Sequence, residues 1–86
     1  MINSKEDPAE WAALMYELED ARDHLGDLVK QMLEAGAIDE AEYSVNLGHV
    51  FAHLNRAWNT RSLKQVSQES RHDSYSEYPT DLEPVA

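Results

Sequence analysis

The 86-residue chain contains no cysteine, and this absence excludes disulfide bonds and every zinc site built on thiolate ligands. A single domain of this size buries only about 60% of the surface that its unfolded chain exposes, so its stability is marginal. Extra stability must come from oligomerisation, from a metal site without cysteine, or from good helix packing. The length predicts one small domain.

Long apolar runs are also lacking, because no stretch approaches the roughly 18 residues that a membrane span needs. Residues 1–7 are polar and charged, and they lack the apolar region of a signal peptide. We therefore expect a soluble, cytoplasmic protein with no membrane partner, in which residues 1–7 form an N-terminal arm.

Basic residues are few: 7 Lys and Arg stand against 17 Asp and Glu, and the formal net charge is −10. Such an acidic chain repels phosphate backbones, so we expect no nucleic-acid partner. Most acidic residues precede position 43, whereas Arg56, Arg61 and Lys64 belong to the second half of the chain. We expect these three basic residues to lie beside the acidic start of the first helix.

Two amphipathic helices are predicted, at about residues 8–35 and 40–66. Apolar residues recur at alternating spacings of three and four through both ranges. Asp7 and Pro8 favour a helix start, Gly36 favours a helix end, and Asp39 is a typical N-cap residue for the second helix. Because the connection is short, the predicted fold is an all-α antiparallel two-helix hairpin over residues 8–66.

The apolar stripe of each predicted helix is too wide to be covered by one neighbouring helix. A second copy of the chain would cover it, which predicts a homodimeric four-helix bundle. The alternative is a monomer whose C-terminal tail folds back over the stripe. The residues predicted to form the dimer or partner interface are Trp11, Met15, Leu18, Leu25, Val29, Leu47, Phe51, Leu54 and Trp58.

The apolar pattern fails after residue 66, and residues 67–86 are rich in serine and acidic side chains. Such a segment buries too little apolar surface to offset its ordering entropy, so we expect a disordered acidic tail. Its residues 75–82 contain Tyr78 and Leu82, which could anchor the tail in a groove of another protein.

His49 and His53 are four residues apart on the second predicted helix, so both rings can reach one metal ion. The candidates for a third ligand are polar residues on neighbouring turns: His24, Asp20, Asp27 and Asn46. If the helices are antiparallel, His24 lies at the right height along the hairpin. The alternative is that these imidazoles form only local hydrogen bonds at the edge of the stripe.

No pattern for catalysis is found, because the chain lacks a glycine-rich phosphate loop, a cysteine nucleophile and a nucleophile elbow. Glu17, Asp20, Asp27 and Glu34 follow helical spacing on the polar side of the first helix, as expected for a solvated face. We predict no enzymatic activity and no cofactor. The predicted function is an acidic interaction or regulatory module, and metal binding through the histidines is the alternative. A decoy for a basic DNA-binding protein is a third class that no feature favours.

Overall fold

The computed structural model describes residues 1–61 and 74–85. Within these ranges the chain forms helix α1 at Pro8–Ala35, helix α2 at Glu40–Asn59 and a short 3-10 helix at Ser74–Ser76, with no strand. The prediction of an all-α helical hairpin is confirmed. Neither described helix is long and apolar enough to cross a membrane.

The connection between the helices uses the residues that the sequence indicates. Gly36 adopts a left-handed conformation with φ of 70°, and its N–H donates to the carbonyl of Met32 at 2.8 Å. Asp39 caps α2, because its carboxylate accepts the backbone N–H groups of Ala41 and Glu42 at 3.0 and 3.3 Å. These bonds satisfy helix-terminal groups that have no partner inside the helix.

Helix α2 ends earlier than the apolar pattern predicts. Its last residue is Asn59, and the Thr60 hydroxyl donates to the carbonyl of Arg56 at 2.6 Å in the turn that follows. Residues 62–66, the rest of the predicted helix, lie outside the described residues, and so does the predicted domain boundary at residue 66.

The buried apolar side chains of the described ranges are Leu14, Ala21, Leu28 and Val50. The three on α1 are seven residues apart, so they form one line along the helix. Residues three positions after a member of this line lie to one side of it, and residues four positions after lie to the other side, because a helical turn takes 3.6 residues.

The predicted interface residues lie on the four-residue side of this buried line and remain accessible. Leu18 and Leu25 follow Leu14 and Ala21 by four positions, and Leu54 follows Val50 by four. The side chains that are exposed are Trp11, Leu18, Leu25, Val29, Phe51 and Leu54. Those that are half-buried are Met15, Leu47 and Trp58.

The described part of the predicted tail lies along α2. Asn55 donates to the carbonyl of Ser76 at 2.9 Å, and Asn59 donates to the carbonyls of Tyr75 and Glu77 at 2.9 and 2.8 Å. The Tyr78 ring lies 5.6 Å from that of Phe51, and both rings line a shallow groove beside α2. These contacts cover the edge of the α2 stripe, as in the predicted alternative in which the C-terminal tail folds back over it.

Asp81 attaches the end of this segment to α2 and to the turn after it. Its carboxylate accepts the Trp58 indole N–H at 2.8 Å and the Arg61 guanidinium at 3.1 Å. Arg61 therefore pairs with the C-terminal segment and not, as predicted, with the acidic start of α1. The hydrogen bond from Trp58 and the pairing with Arg61 contribute to a lowered pKa of Asp81. Lys64 lies outside the described residues.

Candidate metal centre

Three histidines converge on one face of the hairpin. His24 comes from α1, whereas His49 and His53 come from consecutive turns of α2. One ligand nitrogen from each ring lies within 4.8 Å of the other two. The ring centroids are 4.2 Å apart for His24 and His49, 5.3 Å for His24 and His53, and 5.0 Å for His49 and His53. The structure thus selects His24 from the predicted third ligands.

The rings must rotate to bind one ion, because His24 and His49 are stacked on His53 at interplanar angles of 16° and 15°, whereas a bound ion lies in the plane of each imidazole. Zinc binds imidazole nitrogen at about 2.0–2.1 Å, so ligand nitrogens in a tetrahedral site are about 3.4 Å apart. His24 and His49 are exposed and have room to rotate, whereas His53 is buried. The arrangement therefore consists of one fixed candidate ligand, His53, and two adjustable ones.

His53 is held by a carboxylate. Its Nδ1 lies 2.9 Å from Glu17 Oε1, and the two side chains are only 9% and 6% exposed. An ionised carboxylate can only accept hydrogen bonds, so this contact places the proton on Nδ1 and leaves the lone pair on Nε2. His53 Nε2 is buried and has no hydrogen-bond partner among the described residues. Metal-binding histidines commonly donate their second ring N–H to a carboxylate in this way.

Arg56 completes the support of Glu17. Its Nε donates to Glu17 Oε2 at 2.6 Å, and its side chain is 10% exposed. The guanidinium offsets the charge of the buried carboxylate, which would otherwise be costly. A second Arg56 nitrogen lies 3.0 Å from His53 Nδ1. Because a guanidinium only donates, this approach is a hydrogen bond only in the opposite His53 tautomer.

His49 is biased towards its neutral form. Desolvation by burial lowers its pKa most, and the charges of His24, His53 and Arg56 lower it further, while Asp20 raises it. A neutral imidazole is the form that binds metal. The two carboxylates predicted as possible third ligands, Asp20 and Asp27, are not members of the three-histidine cluster.

The donor set indicates the kind of ion. Three neutral imidazoles suit zinc, copper, nickel or iron, whereas magnesium and calcium prefer carboxylate and carbonyl oxygens. Three protein ligands also leave a fourth position for solvent or another molecule. Within the described ranges, the three-histidine group is the one that could hold an ion.

Glu17 and Arg56 are the residues of the candidate site that the sequence did not indicate. The assignment of Glu17 to a solvated face was wrong, because the residue is buried against α2. The available signal was its spacing: Glu17 follows Leu14 by three positions, as His24 follows Ala21. Of the three basic residues expected beside α1, Arg56 does contact it, through Glu17.

Comparisons of the chain with protein-family models, with curated proteins and with solved structures find no match. The geometry of the three histidines and of their supporting residues is therefore the basis for a functional assignment.

Proposed function

We propose that this chain binds a divalent transition-metal ion, with zinc as the reference ion, through His24, His49 and His53. The observation that carries the proposal is the buried, unpartnered Nε2 of His53, whose ring is oriented by Glu17. A buried polar atom without a partner is costly, and an ion bound at Nε2 would remove that cost. Metal binding through the histidines, which is the alternative function predicted from the sequence, is therefore the proposed one. The proposed role is still non-catalytic and cytoplasmic.

Zinc binding is expected to stabilise the hairpin. At a free zinc concentration about one hundred times the Kd, a ligand specific for the folded state adds about 2.7 kcal/mol to the free energy of unfolding. For a domain of this size, the corresponding increase in Tm is on the order of 10 °C. Thermal unfolding followed by circular dichroism, with and without zinc, measures it. Magnesium at the same concentration is the control, and an equal increase with magnesium would contradict an imidazole site.

The zinc effect is also expected to depend on pH. Protonation of any of the three imidazoles competes with the metal, so affinity must fall as pH decreases. Because the pKa of His49 is lowered, its protonation competes with the metal at a lower pH than that of an ordinary histidine. The Tm increase should persist at about pH 7.5 and be lost by about pH 5.

The apo protein has a pH dependence of the same sign. The folded state binds fewer protons at His49 than the unfolded state, so the stability from this group is present above its unfolded pKa and decreases as pH falls towards its folded pKa. The apo Tm at each pH is therefore the baseline for the zinc effect. A zinc effect that is equal at both pH values would contradict the histidine ligands.

We also propose that two copies pack through the predicted interface residues into a four-helix bundle. His24 and His53 follow members of the buried line by three positions, whereas Leu18, Leu25 and Leu54 follow by four, so the two sets lie on opposite sides of that line. Met15, Val29 and Phe51 follow by one position, which is the same side as the leucines. Since the histidines of both helices meet on one face, the exposed apolar residues of both helices share the other. A bundle needs such an apolar line on every helix.

The dimensions and charge of the apolar face suit a second copy. With α1 about 42 Å and α2 about 30 Å long, and helix axes about 10 Å apart, one hairpin offers on the order of 600–800 Å². Stable protein interfaces use about 800 Å² per partner. Arg22 is the one charged residue at the heptad positions of this face on α1, so the acidic residues of the helix avoid it. The Tyr78 segment borders the face at Phe51 and leaves Leu54 exposed.

A further inference from the structure

Arg56 joins the histidine cluster to the C-terminal segment. While its Nε donates to Glu17 at 2.6 Å, its NH1 donates to the hydroxyl of Ser76 at 2.9 Å. The same guanidinium thus contacts the carboxylate that orients His53 and a residue more than a dozen positions beyond the end of α2. A planar guanidinium has a fixed fork of donors, so holding one nitrogen restrains the others.

The segment that presents Ser76 is itself anchored on α2 by residues outside the histidine cluster. Asn55 binds the Ser76 carbonyl, and Asn59 binds the carbonyls of Tyr75 and Glu77. These amides lie one turn apart on α2, and among the residues that the structure describes neither forms a hydrogen bond with the histidines or with Glu17. The segment can therefore be weakened without removing any group of the proposed metal site.

The orientation of Arg56 matters because His53 Nδ1 has two competing neighbours. Glu17 Oε1 accepts a hydrogen bond from Nδ1–H at 2.9 Å, which leaves Nε2 free for an ion. The Arg56 nitrogen at 3.0 Å would instead donate to Nδ1, which forces the proton onto Nε2 and blocks that ligand. In the docked state both neighbours are present together, and Arg56, held by Ser76, keeps its Nε on Glu17 Oε2, so that Glu17 Oε1 stays within reach of the Nδ1 proton. Loss of the Ser76 contact frees the guanidinium to leave Glu17 and so weakens the neighbour that favours the proton on Nδ1.

We propose that Arg56 is a positioning residue of the metal site and that Ser76 holds it, so that zinc affinity depends on the docked C-terminal segment. This inference rests on the proposed zinc site. The dependence is reciprocal, because two coupled binding events change each other's equilibrium by the same factor. Zinc therefore strengthens the docking of the segment on α2.

Calorimetric zinc titrations of the full chain test the inference. Ser76→Ala removes the hydroxyl that holds Arg56, and Asn59→Ala removes two bonds that dock the segment. Arg56→Lys keeps the charge near Glu17 but loses the fork. Each change is expected to weaken zinc binding on the order of tenfold, the lower end of the effect of outer-shell partners. Ser44→Ala, a matched substitution of an exposed serine on α2, should leave the affinity unchanged.

A second measurement reports on His53 without metal. The nitrogen chemical shifts of its ring distinguish the tautomers, and the wild type should carry its proton on Nδ1. In Ser76→Ala and Arg56→Lys the population with the proton on Nε2 should increase, whereas a general loss of stability would not change the tautomer of the folded protein. Circular dichroism confirms that each variant retains its helices.

The outcomes separate this inference from the proposed function. A wild type that does not bind zinc overturns both. A wild type that binds zinc, with Ser76→Ala, Asn59→Ala and Arg56→Lys binding equally tightly, leaves the metal site standing and overturns the positioning role. Weaker binding in these three variants, together with the tautomer shift and an unchanged Ser44→Ala, supports it.

Discussion

His49→Ala is expected to weaken zinc binding by roughly 100-fold, because removal of a direct ligand should cost at least as much as loss of an outer-shell partner. His49 is exposed, so its replacement by alanine should leave the hairpin folded. If free zinc is fixed at about one hundred times the wild-type Kd, the stabilisation should fall from about 2.7 to about 0.4 kcal/mol. The Tm increase should therefore almost disappear.

The matched control is Val45→Ala, one helical turn before His49 on α2. Val45 is also exposed and offers no ligand atom, so this variant should retain the full zinc effect. His24→Ala should behave like His49→Ala, since both supply ligands from exposed positions. Titration calorimetry gives the affinities, and circular dichroism gives the apo stability of each variant. Wild-type zinc affinity in His49→Ala would refute the three-histidine site.

Leu18→Glu is expected to convert the proposed dimer into a monomer. Leu18 is 44% exposed on the apolar face of the hairpin, and its replacement adds a carboxylate to each side of the interface. Burial of an unpaired charge is strongly unfavourable, so the dimer dissociation constant should increase by at least about 100-fold. The exposed position means that the change should have little effect on the packing of α1 against α2.

Light scattering measures this effect directly. A reversible dimer with a Kd of about 1 μM is largely formed at tens of micromolar. At that concentration the wild type should have twice the chain mass of 9.8 kDa. Val45→Glu adds the same charge at a residue that is 73% exposed and outside the predicted interface, so it should remain dimeric. A monomeric wild type, or a dimeric Leu18→Glu, would refute the proposed bundle.

The same variant shows whether the two proposed surfaces are independent. The histidines and the apolar face lie on opposite sides of the buried line, so Leu18→Glu should keep its zinc affinity while it loses the dimer. Conversely, His49→Ala should keep the dimer mass. This reciprocal pattern is expected because energetic effects at distant sites without shared partners are usually additive.

Much of the fold could be predicted from local sequence signals. The bonds that stop and restart the helices involve neighbouring residues, as at Gly36 and Asp39, so their residue types are sufficient to indicate them. The end of α2 was predicted too late, because the apolar spacing continues past Asn59 whereas the helix does not. Asn55 and Asn59 contact residues of the C-terminal segment that lie many positions further along the chain, so no local pattern indicates these contacts.

Residue types and their spacing are sufficient to predict two helices, their antiparallel connection and two helical histidines one turn apart. They could not determine which part of each wide apolar stripe would be buried, because hydrophobicity alone does not distinguish adjacent lines of a helix. The tertiary structure decided this: α1 packs with Glu17 and His24 beside its buried line, and leaves Leu18 and Leu25 exposed. Glu17 can be buried because Arg56 and His53 reach it from α2. That contact exists only after the helices pack, and it is what turns three histidines into a candidate metal centre.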